Sequence, residues 1–474
     1  MTFRSDLAHL SHTKSLRRAL ASIAIGAGLV VAAPGAVVPT VGAQAQLQQL
    51  DTTVGDGWRS VEPASEGIDG VALEAAREYA FQADRNTQGV VVTRGGRLVA
   101  EWYAPDEGPR SWGASWSMAK SFTSALVGIA IDEGKISDVN VSMAEYFPDW
   151  AGTAKANIRL VDVLHMESGL KWNEDYNASN LAGSDIIQMG MSPDQLAYAA
   201  SRPVEVAPGT RFNYSSGDTM LLSKVIESAT GMPADQYARE KLFGPLGMDQ
   251  VEWWRDAKGH TLTYCCLDTT SRNYARMGLL YLQGGSWNGN QIISSSWVQN
   301  SLTGTAASNG NYGYQWWIRT HPAIEGPIYM MNGFDGQMTF VIPSLDMVVV
   351  RNGDYVKSEC EPVADPNLFG RYPPSNLIPG KGTRPPASWN NNEFLGLIAD
   401  AVTGAASGPT EFPTDQSPAA SRSPQGEPMA PCPPQPISPT TTVPSGSTPT
   451  TTSPTNNPSA VPATPISAAP AYTG

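Results

Sequence analysis

Ser117 and Lys120 stand three residues apart in Gly113-Ala114-Ser115-Trp116-Ser117-Met118-Ala119-Lys120-Ser121-Phe122. On a helix that spacing puts a hydroxyl and an amine on one face. The apolar residues Met118, Phe122, Ala125, Leu126 and Ile129 recur at helical spacing, so the pair falls at a helix start. There the positive end of the helix dipole disfavours a charged lysine and favours negative charge growing on the serine. A lysine held neutral can take the serine proton and leave a competent nucleophile. The plain alternative is a capping serine followed by a surface lysine. Other segments must decide between the two.

Phe212-Asn213-Tyr214-Ser215-Ser216-Gly217-Asp218 is one such segment, just ahead of a helix pattern from Met220. Tyr214 on that loop could point into a cleft and shuttle protons beside an ammonium. It could equally be a packed aromatic next to a helix cap formed by Ser216 or Asp218. A third segment, Asn332-Gly333-Phe334-Asp335-Gly336-Gln337-Met338-Thr339-Phe340-Val341-Ile342-Pro343, leads through glycines into a strand. Such an entry lets a substrate lie along the strand edge and accept a backbone hydrogen bond; an ordinary hairpin turn has the same look. Asp185, in Gly183-Ser184-Asp185 before Ile186-Ile187, fits either a cleft carboxylate that meets a substrate amine or a helix cap.

In this order, the three segments resemble those of the penicillin-recognising serine hydrolases (the serine beta-lactamase superfamily). The nearest resemblance is to the branch that holds class C beta-lactamases, related esterases and 6-aminohexanoate-dimer hydrolases. Arg94-Gly95-Gly96-Arg97-Leu98-Val99, Glu167-Ser168-Gly169-Leu170, Pro245-Leu246-Gly247-Met248 and Ala275-Arg276-Met277-Gly278-Leu279-Leu280-Tyr281-Leu282, running on to Trp287-Asn288-Gly289, carry the same likeness. It covers about residues 58–403. The resemblance implies that Ser117 is the acylated nucleophile, Lys120 its proton acceptor and Tyr214 an assisting base or acid. It implies an oxyanion hole made by the backbone N–H groups of Ser117 and Gln337. Ser216 stands where many relatives carry the asparagine of Tyr-x-Asn, and Phe334-Asp335-Gly336 where they carry Lys-Thr-Gly. Loss of that lysine weakens recognition of a beta-lactam or a free C-terminal carboxylate, because a buried unpaired carboxylate is costly. An ester or amide is then the expected small-molecule substrate. A cell-wall D-Ala-D-Ala carboxypeptidase, a beta-lactamase and a non-catalytic wall-associated binding protein on the same fold are the competing expectations.

These residues need a scaffold. Gly89–Arg94 and Arg97–Tyr103 read as a hairpin turning at Gly95-Gly96. Helix patterns run from Met220 to Thr230 and from Arg272 to Leu282, each followed by glycine. Strand character returns at 312–320, 337–342 and 346–351. The expected architecture is α+β, of the beta-lactamase/transpeptidase-like type. An antiparallel sheet built from both ends of the domain is flanked by helices, and an all-helical region is inserted into it. Ser117 would lie in the cleft between the two parts.

All 13 tryptophans fall between Trp58 and Trp389, which marks the globular unit, expected over 58–404. Ahead of it, Arg17-Arg18, an apolar run from Ala19 to Ala33 and Ala43-Gln44-Ala45 read as a secretory signal peptide over residues 1–45, with a linker at 46–57. From 405 to 474 the chain is rich in Pro, Thr and Ser, a composition that cannot offset its ordering entropy. It reads as a disordered tail, with association to a cell wall or O-glycosylation as its expected use. The expected location is therefore secreted or wall-associated.

Export makes disulfides permissible. Cys265 and Cys266 are adjacent, Cys360 lies far downstream and Cys432 is in the tail. Neighbouring cysteines bridge each other rarely, so a bond from one of the pair to Cys360 is the expectation. Metal-ligand spacing is missing, and neither a metal nor an organic cofactor is implied. The net charge of −13 argues against a nucleic-acid partner. No G-x-S-x-G elbow is present, and His165, His260 and His321 are expected to be structural or on the surface.

Overall fold

Val90-Val91-Val92 and Val348-Val349-Val350 are unbroken apolar runs, and a strand of this kind has both of its faces covered. The computed structural model describes residues 57–413 except Asp84, Asp106, 177–181 and 354–388. The signal peptide, most of the linker, Cys360, Cys432 and the tail from 414 onward lie outside the described residues.

In chain order the strands are β1 (Thr87–Arg94), β2 (Arg97–Tyr103), β3 (Trp112–Ala114), β4 (Val251–Trp253), β5 (Leu267–Thr270), β6 (Ser286–Trp287), β7 (Asn290–Gln291), β8 (Trp317–His321), β9 (Ile324–Gly333), β10 (Gln337–Ile342) and β11 (Met347–Gly353). The helices are α1 (Gly70–Ala80), α2 (Ala119–Asp132), α3 (Leu160–Leu164), α4 (Asp185–Gly190), α5 (Gln195–Ser201), α6 (Ser216–Thr230), α7 (Ala234–Ala238), α8 (Ser271–Leu282), α9 (Ser295–Ser301) and α10 (Asn391–Asp400). The main sheet is antiparallel in the order β2-β1-β11-β10-β9-β8, so both ends of the domain build it. A smaller sheet, β3-β5-β4, pairs the strand ahead of α2 with two strands from beyond α7.

Side chains alternate across the main sheet with a period of two. Val90, Val92, Phe340, Ile342 and Val349 pack against Leu73 and Ala76 of α1 and Phe394 and Ile398 of α10. Val91, Val341, Val348 and Val350 face the other way, into a larger core with Phe122 of α2, Leu221 of α6 and Met277 and Leu280 of α8. The helical region spanning α3 to α7 is joined to this second side. No helix among the described residues is long and apolar enough to cross a membrane.

The strand expected over 312–320 is shorter, because Gln315 adopts φ +63 and breaks the extended backbone before Trp317. The helix expected from Met220 begins at Ser216. Its cap is neither Ser216 nor Asp218 but Ser215, whose Oγ accepts the Asp218 N–H at 2.9 Å. Residues 405–413, assigned by composition to the tail, lie on the domain. Glu411 donates its N–H to Gly95 O at 2.9 Å and accepts from Arg97 Nη2 at 2.8 Å, while Phe412 meets Trp287 with ring centroids 5.0 Å apart.

Candidate active site

Three elements bring the candidate residues together. Ser117 sits in a single 3-10 turn, Trp116–Met118, that feeds straight into α2, and Trp116 enters it at φ +44. Lys120 is the second residue of α2 and is 1% exposed. Its Nζ is 3.0 Å from each of Ser117 Oγ, Ser216 Oγ and the Tyr264 carbonyl oxygen. The Tyr214 ring lies over the same amine, its centroid 5.0 Å away, and is held by stacking on Trp317 at 5.2 Å. Burial pushes the Lys120 ammonium down to about 8, with the Glu174 carboxylate opposing the shift.

Ser216, the departure from Tyr-x-Asn, is therefore a direct neighbour of the amine. Its own hydroxyl donates to Glu174 Oε1 at 2.5 Å, and its N–H donates to Glu174 Oε2 at 2.9 Å. The same carboxylate accepts from Tyr176 OH at 2.6 Å and from Trp172 Nε1. The sequence reading missed Glu174, which sits in no phrase of the three segments and shows no spacing to Ser117. The cue available in hindsight is Trp172-x-Glu174-x-Tyr176, where the two aromatics are the carboxylate's donors.

The third segment forms the far wall. Gly333 ends β9 against the nucleophile turn, where an added Cβ would meet Ser115 O at 2.2 Å. Phe334 turns toward the site, edge-on to Trp116 at 5.9 Å and tilted on Tyr176 at 5.1 Å. In place of a lysine the cleft thus has an aromatic wall beside Ser117. Asp335 is 3% exposed at φ +59, and Arg351 Nη1 donates to the carbonyls of Asp335 and Gly336 at 3.0 Å each. Of the substrate-binding candidates in this segment, Phe334, Asp335 and Gly336, the Asp335 side chain is the one enclosed in the protein. The Gln337 N–H closes the turn onto Phe334 O, so it must exchange that acceptor before it can serve an oxyanion.

Asp185 also differs from both expectations. It is the first residue of α4, whose cap is Ser184, and its carboxylate is filled. Oδ1 accepts from Arg202 Nη1 at 2.5 Å and from Tyr198 OH at 2.8 Å, while Oδ2 accepts the Asn173 N–H at 2.8 Å. The ion pair and the hydrogen bonds on both oxygens tie this carboxylate to Arg202, Tyr198 and the Asn173 backbone. The expected bridge to Cys360 is overturned as well, because Cys265 and Cys266 are bonded to each other.

Of the histidines, His165 is tilted against the Tyr314 ring at 4.6 Å and pushed down to about 4 by burial, and His321 Nε2 lies 2.8 Å from Asn392 O. His260 has ligand atoms in common reach with Asp194 and Asp256, all within 4.8 Å, beside a cavity of about 810 Å³ also lined by Trp150 and Lys155. Both carboxylates serve the backbone there. Asp256 accepts from the N–H groups of Gln195, Lys258 and His260, and Asp194 caps α5 through the Ala197 N–H.

A sheet of this order with a helical region beside it, and a buried amine on a serine at their junction, is the architecture of the serine beta-lactamases and transpeptidases. The chain belongs to the beta-lactamase family, whose model matches residues 64–359, and is a serine hydrolase. It is 28% identical over 286 residues to the 6-aminohexanoate-dimer hydrolase of Paenarthrobacter ureafaciens, covering 56% of this chain and 72% of that protein. A Salmonella agona protein named "putative D-alanyl-D-alanine carboxypeptidase" is 33% identical over 135 residues, which are 27% of this chain and 31% of that one. Among solved structures, that of "EstCE1, a hydrolase with promiscuous acyltransferase activity" superposes with a TM-score of 0.53 at 14% identity, over 72% of this chain and 99% of that one. At such identity the likeness speaks for the fold alone.

Proposed function

We propose that this protein is an exported serine hydrolase that cleaves a small ester or amide through an acyl-enzyme on Ser117. The observation that carries the reading is the buried Lys120 amine, 3.0 Å from Ser117 Oγ and pushed down to about 8. Neutral Lys120 takes the Ser117 proton as Oγ bonds to the substrate carbonyl carbon. The carbonyl electrons move to oxygen, facing the Ser117 N–H and, once its turn opens, the Gln337 N–H. Collapse expels the alcohol or amine, which takes back the proton from Lys120 with Tyr214 alongside. Water then hydrolyses the acyl group by the same proton route.

Phe334 and its aromatic neighbours favour a substrate whose acyl side is uncharged near the nucleophile, because a carboxylate there would lose its hydration without gaining a lysine. The name of the Paenarthrobacter ureafaciens relative supports a linear amide among the candidate substrates. Export is supported by Arg17-Arg18 with its apolar run and Ala43-Gln44-Ala45, and by the Cys265–Cys266 bond. The test is intact mass spectrometry after mixing with an activated ester and, separately, with penicillin, using Ser117→Ala as control. Ester turnover or a Ser117-dependent acyl adduct, without a lasting penicillin adduct, supports the reading. A lasting penicillin adduct would replace it by a peptidase, and no reaction with either by a binding protein.

A further inference from the structure

A neutral lysine amine has one lone pair and two N–H bonds. To act as a base on Ser117 it must aim the lone pair at Oγ, which leaves two acceptors to fix its rotation. Those are Ser216 Oγ, oriented by Glu174, and the carbonyl of Tyr264. That carbonyl belongs to the peptide that enters Cys265. Beyond the Cys265–Cys266 bond, Leu267 exchanges two hydrogen bonds with Ser115, its N–H to Oγ at 3.0 Å and its carbonyl to the Ser115 N–H at 2.9 Å. The bridge thus stands between the acceptor of Lys120 and the strand that holds the turn carrying Ser117.

We propose that the Cys265–Cys266 disulfide is a positioning element for the general base, fixing the Tyr264 carbonyl on Lys120 and the Ser115 turn in one register. Bonded neighbours close a small ring that includes the peptide between them, so the backbone torsions on either side of that peptide lose their freedom. Cys266 lies at φ +65, a region that residues other than glycine seldom occupy. Opening the ring lets that residue relax toward extended backbone and carries the neighbouring peptides with it. Both cysteines are buried, and Trp253 Nε1 donates to the Cys265 carbonyl at 2.9 Å, so the turn is walled from outside but held from within by the bridge. The groups that face the amine are Ser117, Ser216 with Glu174 behind it, and the rings of Tyr214 and Tyr264. None of these replaces the carbonyl as the second acceptor.

The proposal rests on Lys120 acting as base, and the experiment separates the two. The full chain is reduced with a water-soluble phosphine, which takes an oxygen from water to become its oxide and leaves two thiols; intact mass confirms two added hydrogens. A Cys265→Ser/Cys266→Ser variant serves as the second form, and each is assayed while folded. We expect kcat to fall by on the order of 10-fold with KM within about threefold, as orientation but not binding is lost. The acidic limb of the rate profile should move to lower pH, because the charged amine loses an acceptor, and re-oxidation should restore both values. NMR titration of the lysine side chain gives the same readout in a protein for which no substrate is found. An unchanged limb and lysine titration in the verified dithiol form would overturn the proposal while leaving the Ser117 mechanism standing, as would unfolding on reduction. Loss of Ser117 dependence in the bridged wild type would instead remove the mechanism.

Discussion

Glu174 accepts the Ser216 hydroxyl hydrogen bond at 2.5 Å, so the serine lone pair is left facing Lys120 Nζ, 3.0 Å away. The relationship makes a short side chain an oriented acceptor for the amine. Ser216→Ala removes the acceptor and should lower kcat by on the order of 10-fold or more with little change in KM, as the amine loses half of its orientation. Glu174→Gln should cost less if its amide oxygen keeps the Ser216 contact; steady-state kinetics of both variants checks the order.

Ser117→Ala should abolish turnover and leave the melting temperature close to the wild type, since the buried Lys120 amine that meets this hydroxyl keeps Ser216 and the Tyr264 carbonyl as partners. Lys120→Ala and Tyr214→Phe should each cost on the order of 100-fold or more in rate. Activity assays beside thermal melts separate these losses from misfolding.

The rate should climb with pH through about 8, the value to which burial pushes Lys120. Below it the amine carries the proton it would need to accept, so log kcat/KM should rise with unit slope and then level. Stability shifts in the same sense. Because the folded value lies below the ordinary 10.5, the unfolded chain binds the proton more tightly, and stability conferred above 10.5 is lost as pH falls through about 8. A rate profile flat from pH 6 to 9 would contradict the assignment.

Asp218, buried under Ser168 and Ser215, works the other way. Burial raises its carboxyl from 3.8 to about 7. Across that window the folded chain keeps a proton that the unfolded chain has released, so the contribution is present below 3.8 and lost as pH rises through about 7. Denaturant titrations should show stability declining across this range in the wild type and a shallower decline in Asp218→Asn, which keeps the oxygen accepting from Ser168.

Gly333→Ala places a methyl 2.2 Å from Ser115 O, against backbone that cannot rotate away. A cost of about 1–3 kcal/mol is expected, together with a loss of activity greater than the stability loss explains, because the displaced segment carries Ser117. Chemical denaturation and kinetics on the same preparation test both parts.

The sheet was legible where turn chemistry and apolar alternation agree: the Gly95-Gly96 hairpin and the 337–342 strand stand where they were expected. Strand β9 was not, since Gly326 and Pro327 interrupt its pattern while tertiary pairing with β8 and β10 supplies the order. The spacing of Ser117 and Lys120 announced their contact because it is local. Glu174 and the Tyr264 carbonyl reach Lys120 only through long-range folding, and a backbone oxygen leaves no mark in residue identity. Asp185 was misread for a related reason, as its partner Arg202 comes from α5's end rather than from its own helix.

The clasp formed by residues 405–413 bears on how the chain withstands trimming. Arg97 is buried, and its guanidinium takes Pro409 O and Glu411 as acceptors beside Glu66 and Gly95 O. Gly96 has no room for a side chain because the Glu411 carbonyl would lie 1.7 Å from it. A protease that cuts after Pro413 leaves every contact described for residues 405–413 in place. One that cuts before Ser407 leaves buried Arg97 with only Glu66 and Gly95 O among these acceptors and uncovers the hairpin tip. The described domain therefore has a sharp threshold at its C-terminal edge: the position of a cut within 405–413 decides whether the hairpin tip stays covered.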